Sequence, residues 1–426
     1  MLAIGLILTV ATAQPALTRD KVIADTMQPY TGRTFSGVDR RTLTGKIMTG
    51  YQGWFATPTD GSGMGWFHWG STRFDRNTCY VDMWPEMNEA EADEKYPTDF
   101  RHSDGKVAYV FSSYNKKTVL RHFRWMKDYG IDGAFVQRYG VRIQKPIDLR
   151  FTNTVLNSAR EGANVHGRTY AIMYDLTSLP AGGTQTIIDD WKLLIDRMRI
   201  TNDQAYLRHK NRPVVAVWGI GFRDTSRRYS LQECLNLVNF LKNDPRYGGN
   251  RVVIGVPTYW RTLSIDATRD PKLIEIARAA DIIAPWTVGR FKTDLEVETY
   301  SRNTLAGDLA WCRQYGKEML PNAYPGFSWS NRKPASPFDQ IPRRRGDFLW
   351  TQFVEAKRAG ATMMYQAMFD EVDEGTAIFK VSRNPPVERR FLNLEGEPSD
   401  AYLWLVGQAT RMFKGQATIQ EDRPRR

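Results

Sequence analysis

Short apolar runs of strand length alternate with segments of helical period along most of this chain, and that alternation restricts the fold more than any other feature. Runs that read as strands start at Lys46 (KIMTGYQGWF), Gly133 (GAFVQRY), Thr169 (TYAIMYD), Pro213 (PVVAVW), Val252 (VVIGVPTY), Asp281 (DIIAPW), Lys317 (KEMLPNAY) and Thr362 (TMMYQAMF). Apolar positions such as Val119, Leu120, Phe123 and Met126 predict a helix over 117–129, and similar spacing predicts helices over 151–161, 184–199, 231–243, 272–279, 304–315, 346–359 and 400–413. With the apolar run 107–113 set aside as part of an insertion, eight strands alternate with helices, which is the pattern of a single α/β TIM (β/α)8 barrel over 45–413. A doubly wound open sheet is the competing fold, but it has no need for polar and aromatic residues at successive strand ends.

Those strand ends read Tyr51, Gln52 and Trp54; Gln137, Arg138 and Tyr139; Tyr174 and Asp175; Trp218; Tyr259 and Trp260; Trp286; Tyr324; and Asp370 with Glu371. In a barrel they fall on one rim, the C-terminal face where active sites are built. The loop after the first strand, ATPTDGSGMGWFHWG, adds Trp66, His68 and Trp69. It opens an insertion running to about residue 104, long for a βα connection and therefore expected to be functional. Aromatic residues make up 12% of the chain, with 13 Trp and 19 Tyr. Flat rings stack on the apolar faces of sugars while polar groups take the hydroxyls, so this rim suits a carbohydrate.

The last strand ends in four acids within five residues, Asp370, Glu371, Asp373 and Glu374. Glycoside hydrolysis needs one protonated carboxyl to assist the leaving oxygen and one ionised carboxyl opposite it. Glu371 and Glu374 are the candidate pair, and crowding raises the pKa of at least one. Asp370 and Asp373 are read as supports that cap a helix or pair with Arg.

Other chemistries leave no such trace. An EF-hand starting at Asp370 fails, because Val372 and Val381 stand at ligand positions three and twelve. The histidines, His68, His102, His122, His166 and His209, lack metal-site spacing, and no metal or organic cofactor is expected. There is no G-x-S-x-G elbow, and Asp224 breaks the dinucleotide fingerprint that Gly219 and Gly221 begin. The formal charge of +12 is dispersed; the runs at 343–345, 389–390 and 425–426 sit in no nucleic-acid module, so no nucleic-acid partner is expected. Cys79, Cys234 and Cys312 are too few and too far apart for a disulfide framework.

Residues 1–13, with an apolar core and an A-x-A pattern at 11–13, read as a signal peptide cleaved before Gln14, which implies export to the periplasm or beyond. The run is too short to span a bilayer, and no stable membrane insertion is expected. Residues 14–44 read as an extended lead-in and 414–426 as a basic polar tail.

Two motifs resemble a known group. FDEVDEGTAIFK is similar to the terminal-strand motif of glycoside hydrolase family 99 and its family 71 relatives, in which Glu-x-x-Glu followed by Gly-Thr closes a TIM barrel. GYQGWF resembles the first strand of bacterial family 71/99-like proteins. The resemblance implies that Glu371 is a base on the substrate 2-hydroxyl and Glu374 the general acid and base at the glycosidic oxygen. That route retains configuration through an anhydro-sugar. The chain departs from family 99 at Asp370, Val372 and Asp373, where that family has Asn, Trp and His. The resemblance thus implies the reaction type and not the α-mannoside. The alternative is a carbohydrate-binding protein on the same scaffold, holding oligosaccharide through Trp54, Trp66 and Trp69 without cleaving it.

Overall fold

The computed structural model describes residues 16–224 and 226–426. The signal-peptide reading of 1–13 lies outside them. Among the described residues no helix is long and apolar enough to cross a membrane.

The first element among the described residues is a helix, α1 (Arg19–Thr26), where the sequence reads an extended lead-in. Thr18 caps it by accepting from the Lys21 amide, and Val22 and Ile23 are buried. Two adjacent apolar residues carry no helical period, so the signal is tertiary: the helix ends against Asn153 and Asn157, whose amides donate to Thr26 at 2.8 and 2.7 Å.

The first strand, β1 (Ile47–Tyr51), precedes an antiparallel hairpin of β2 (Tyr96–Arg101) and β3 (Val107–Val110). The hairpin lies outside the main sheet, as expected for the run set aside as an insertion. The alternation then runs through α2 (Lys116–Asp128), β4 (Gly133–Tyr139), α3 (Pro146–His166), β5 (Thr169–Asp175) and α4 (Thr184–Asp196). A short β6 (Arg208–His209) pairs antiparallel with β7 (Arg212–Trp218). After it come α5 (Leu231–Asn243), β8 (Arg251–Pro257), α6 (Lys272–Ala279) and β9 (Ile282–Trp286). The helix expected at 304–315 begins earlier, as α7 (Asp294–Tyr300) joined through a π-helical turn to α8 (Ala306–Gln314). The rest is β10 (Glu318–Met319), β11 (Asn322–Ala323), α9 (Asp347–Arg358), β12 (Met364–Gln366) and α10 (Ala401–Phe413). Helix ends follow local chemistry: Ser230 and Glu233 form a capping box on α5, and Pro146 opens α3 while Gly167, at φ 64°, closes it.

The sheet runs β10-β9-β8-β7-β5-β4-β1-β12-β11, and every pairing along that path is parallel. Both ends of the path come from one segment, 318–323. Leu320 donates to Ile283 at 2.8 Å, and the next residue, Pro321, accepts from Tyr365 at 2.8 Å. Pro321 has no N–H, which divides this seventh strand into β10 and β11 as it passes from one neighbour to the other. The result is a curled parallel sheet with helices outside, consistent with the (β/α)8 arrangement read from the sequence. Its strands are largely buried, β5 at every residue.

Alternate residues of each strand face the barrel interior or the helices. Three residues read as rim groups face the helices. Tyr51 reaches His122 of α2 at 2.9 Å. Arg138 grips Asp190 of α4 with two bonds of 2.6 Å, and the Tyr174 hydroxyl donates to the same carboxylate at 2.7 Å. All five residues are buried, and none of the three strand residues reaches the mouth. Replacing Arg138 by Ala strands the Asp190 charge in the core and is expected to cost about 3–5 kcal/mol. Denaturant unfolding measures this, and the double variant Arg138→Met/Asp190→Leu should recover much of the loss.

Candidate active site

The mouth is organised by the turn that follows β12. Asp370 is fully buried and accepts from the backbone N–H groups of Gln52 and Gly53, both at 2.8 Å. Gly53 can present its amide this way because it sits at φ 57°, in the left-handed region. Burial pushes the Asp370 carboxyl up to about 7, against the pull of these two donors. Its role here is to tie the end of β1 to the acidic turn.

That tie sets Gln52 beside Glu371. The Gln52 amide donates to one Glu371 oxygen at 2.7 Å, and the Thr376 hydroxyl donates to the other at 2.7 Å. Gln52 in turn accepts from the Tyr139 hydroxyl at 2.8 Å. Glu371 is therefore held on both oxygens. Burial raises its pKa well above the usual carboxylate range, and the Glu374 and Asp373 charges raise it further. Glu374 is half-buried, and its carboxyl is pushed up to about 7 by burial and by Asp373, with Arg332 and Lys333 opposing.

Asp373 is buried, accepts from Arg332 at 2.9 Å and lies 2.8 Å from His68 Nδ1. His68 holds a left-handed backbone, φ 63°, which is costly outside glycine. The contact with Asp373 and a stack on Trp54, with ring centroids 3.7 Å apart, fix it there. Trp54 is packed against Tyr139 as well, so it is a buried support rather than a free platform. Trp218 and Trp286 meet edge to face at 5.4 Å, and Trp286 lies 6.3 Å from Tyr365, whose hydroxyl accepts from Gln137 at 3.1 Å. Asp175 pairs in register with Tyr139 and Trp218, and burial pushes its carboxyl up to about 6. The mouth thus gathers Gln52, His68, Gln137, Tyr139, Asp175, Trp218 and Trp286 around the acidic turn.

Other residues read as rim groups lie elsewhere. Trp69 is completely buried inside the insertion against Phe55, Phe74 and Phe111, with its indole N–H on the Phe111 carbonyl. Trp66 is half-buried against Phe74. Trp260 is buried on Trp311 and donates to Asp308 at 3.1 Å, and the buried Tyr324 donates to the Phe291 carbonyl at 2.5 Å. Large aromatics that the sequence cannot tell from a sugar platform here fill the layer behind the rim. Tyr259 is half-buried in the loop held by Asp266.

Sequence reasoning missed Tyr365, Thr376, Arg332 and Trp329. Thr376 was legible inside the acidic motif; Arg332 and Trp329 lie in a polar loop with no periodic signal. The free thiols Cys79, Cys234 and Cys312 are all buried. Glu91, Asp93 and Glu94 approach within 4.8 Å of one another, but each already has a cationic partner, Lys117 for the first two and Arg121 for Glu94.

The site carries a stability cost. A carboxyl whose folded pKa is raised favours the fold while protonated, and that contribution fades as pH rises from the unfolded value through the folded one. For Glu374 that window runs from 4.5 to about 7. Glu374→Gln has no proton to lose, so its Tm relative to the parent chain is expected to climb across this window. Calorimetry at several pH values checks it; a constant Tm difference would contradict the raised pKa.

No family model matches the chain, and no curated protein matches it. Among solved structures it superposes on the GH99 endo-alpha-mannosidase from Bacteroides thetaiotaomicron with a TM-score of 0.64 and 15% identity, over 88% of this chain and 99% of that one. A structure of such an enzyme in complex with BIS-TRIS-propane gives 0.62 at 15% identity with the same coverage. A protein described as a glycoside hydrolase-like protein gives 0.51 at 11% identity, over 91% of this chain and 99% of that one. At these identities the likeness is one of fold.

Proposed function

We propose that this chain is a glycoside hydrolase acting on a polysaccharide or glycan, with Glu371 and Glu374 as its working pair. The observation that carries the reading is the placement of Glu371: a carboxyl near the mouth of the curled sheet, gripped on both oxygens and crowded by a second carboxyl three residues on. Unlike Asp370, which backbone donors hold, Glu371 is held by side chains and has a second carboxyl as its neighbour. The fold likeness to a family 99 endo-α-mannosidase supports the same reading.

Burial and mutual repulsion oppose a second negative charge, so the pair carries one proton near neutral pH. Burial and the Glu374 and Asp373 charges push Glu371 up most, so the pair shares its proton. The reaction starts from the form in which the Gln52 and Thr376 donors hold Glu371 ionised and Glu374 carries the proton. Ionised Glu371 then takes the proton of the sugar 2-hydroxyl as that oxygen attacks C1. Glu374 gives its proton to the departing glycosidic oxygen, and the C1–O bond breaks. In the second step water opens the anhydro ring: its proton goes to Glu374, its hydroxyl joins C1, and Glu371 returns its proton to O2. The starting state is restored.

Glu371→Gln and Glu374→Gln should each lower kcat by about 10²–10⁴-fold on a cleavable glycan, with circular dichroism unchanged. Near-normal turnover in either variant sinks the reading, and binding without release of reducing ends would instead indicate a carbohydrate-binding protein. The rate should also fall on both sides of the one-proton state, at high pH as the pair loses its shared proton and at low pH as it gains a second. A kcat/KM profile that stays flat through neutrality would contradict the shared-proton state.

A further inference from the structure

The loop between β11 and α9 is anchored more firmly than a surface connection requires. Asp82, from the insertion, is fully buried, and its two oxygens accept from the Ser328 hydroxyl, the Ser330 amide (2.8 Å) and hydroxyl (3.0 Å), and the Asn331 amide (2.8 Å). The Ser328 amide donates to the Glu374 carbonyl at 2.9 Å, which docks the loop directly on the acidic turn. Between and beyond these anchors the chain makes a tight turn, with the amides of Arg332 and Lys333 both returning to the Trp329 carbonyl. The buried carboxylate thus immobilises Trp329, Arg332 and Lys333 beside the proposed acid.

What the turn presents is unbalanced. Arg332 uses one guanidinium nitrogen on Asp373 and keeps about a third of its side chain exposed. Lys333 is exposed, lies 4.1 Å over the Trp329 ring, and has no acidic partner among the described residues. The Trp329 indole N–H is buried without an acceptor. Most cations of this basic chain are dispersed or paired, whereas these two lie beside the acidic turn, whose charges they only partly neutralise. A rigid aromatic face flanked by two cations is a fitting for a sugar ring that bears a negative charge.

We infer that the Trp329–Lys333 turn is a subsite for an anionic sugar, a ring carrying a carboxylate or a sulfate ester, so that the substrate class is an acidic glycan. The inference rests on the glycosidase reading of the same mouth, and it assigns specificity rather than catalysis to Lys333. The charged group sits against Lys333 and the free edge of Arg332, and the ring lies against the part of Trp329 that Lys333 leaves uncovered. The neighbouring residue then reaches Glu374 through the glycosidic oxygen.

The full chain is tested on an array of oligosaccharides matched in backbone and differing in substituent: uronate, sulfated and neutral. Anionic members should bind at least about tenfold tighter than their neutral counterparts, as a hydrogen bond to a charged group warrants. Whether uronates or sulfated sugars dominate separates the two sources of charge. Lys333→Gln should remove that margin, Lys333→Arg should keep it, and Lys21→Gln, which deletes the same charge from α1, should leave it untouched. Equal or better binding of neutral glycans, or equal losses in Lys333→Gln and Lys21→Gln, overturns the inference. A reducing-end assay on the bound glycans separates it from the parent reading. Anionic glycans bound through Lys333 but never cleaved would refute the hydrolase and leave the subsite standing, while cleavage confined to neutral glycans would do the reverse.

Discussion

The carboxylate of Asp370 holds the first and last strands of the sheet together at the mouth, and the candidate site depends on that clamp. Two backbone N–H groups at the end of β1 donate to it. The interaction does more than close a gap between neighbours. By fixing Gln52 it positions the amide that orients Glu371, and through Gln52 it fixes the Tyr139 hydroxyl. One buried acid therefore sets the geometry of a second acid that differs from it in solvation and in partners. The two stand side by side in sequence and do different work because one meets backbone donors and the other meets side chains.

The same turn concentrates like charges in a setting that disfavours them. Asp370, Glu371, Asp373 and Glu374 all lie within it, and Asp175 sits near Tyr139 on the neighbouring strand. The fold manages this unevenly. Asp373 receives Arg332, while Glu374 faces Arg332 and Lys333 only across a distance. In the helix layer, by contrast, Arg138 neutralises the buried Asp190 and Arg160 the buried Asp203. The contrast between paired acids in the helix layer and under-satisfied acids at the mouth is the pattern expected of the proposed active site.

Much of the architecture was legible because strand and helix periods are local. Each of the eight runs read as strands contributes to the curled sheet, and the run 107–113 supplies β3 of the separate hairpin. What local pattern missed has identifiable causes. The helix α1 has too few apolar residues to show a period and depends on α3. The split of the seventh strand follows from Pro321 meeting two different neighbours. The extra helix α7 is polar on most of its surface and is announced only by the Thr293 and Glu296 capping box.

The sequence by itself determined that aromatic and polar residues cluster at strand ends and that a Glu-x-x-Glu motif follows the last strand. Only the tertiary structure decided which of those residues share the mouth. Gln137 and Tyr139 face it, and Arg138 between them does not; Asp175 faces it, and Tyr174 beside it does not. A strand buried on both faces carries no polar alternation, so its phase cannot be read from composition, and it is set by register against its neighbours. Trp69 and Trp260 make the same point for the aromatics. A ring that would serve a sugar serves equally well as packing, and the choice falls to whichever surface the fold brings against it.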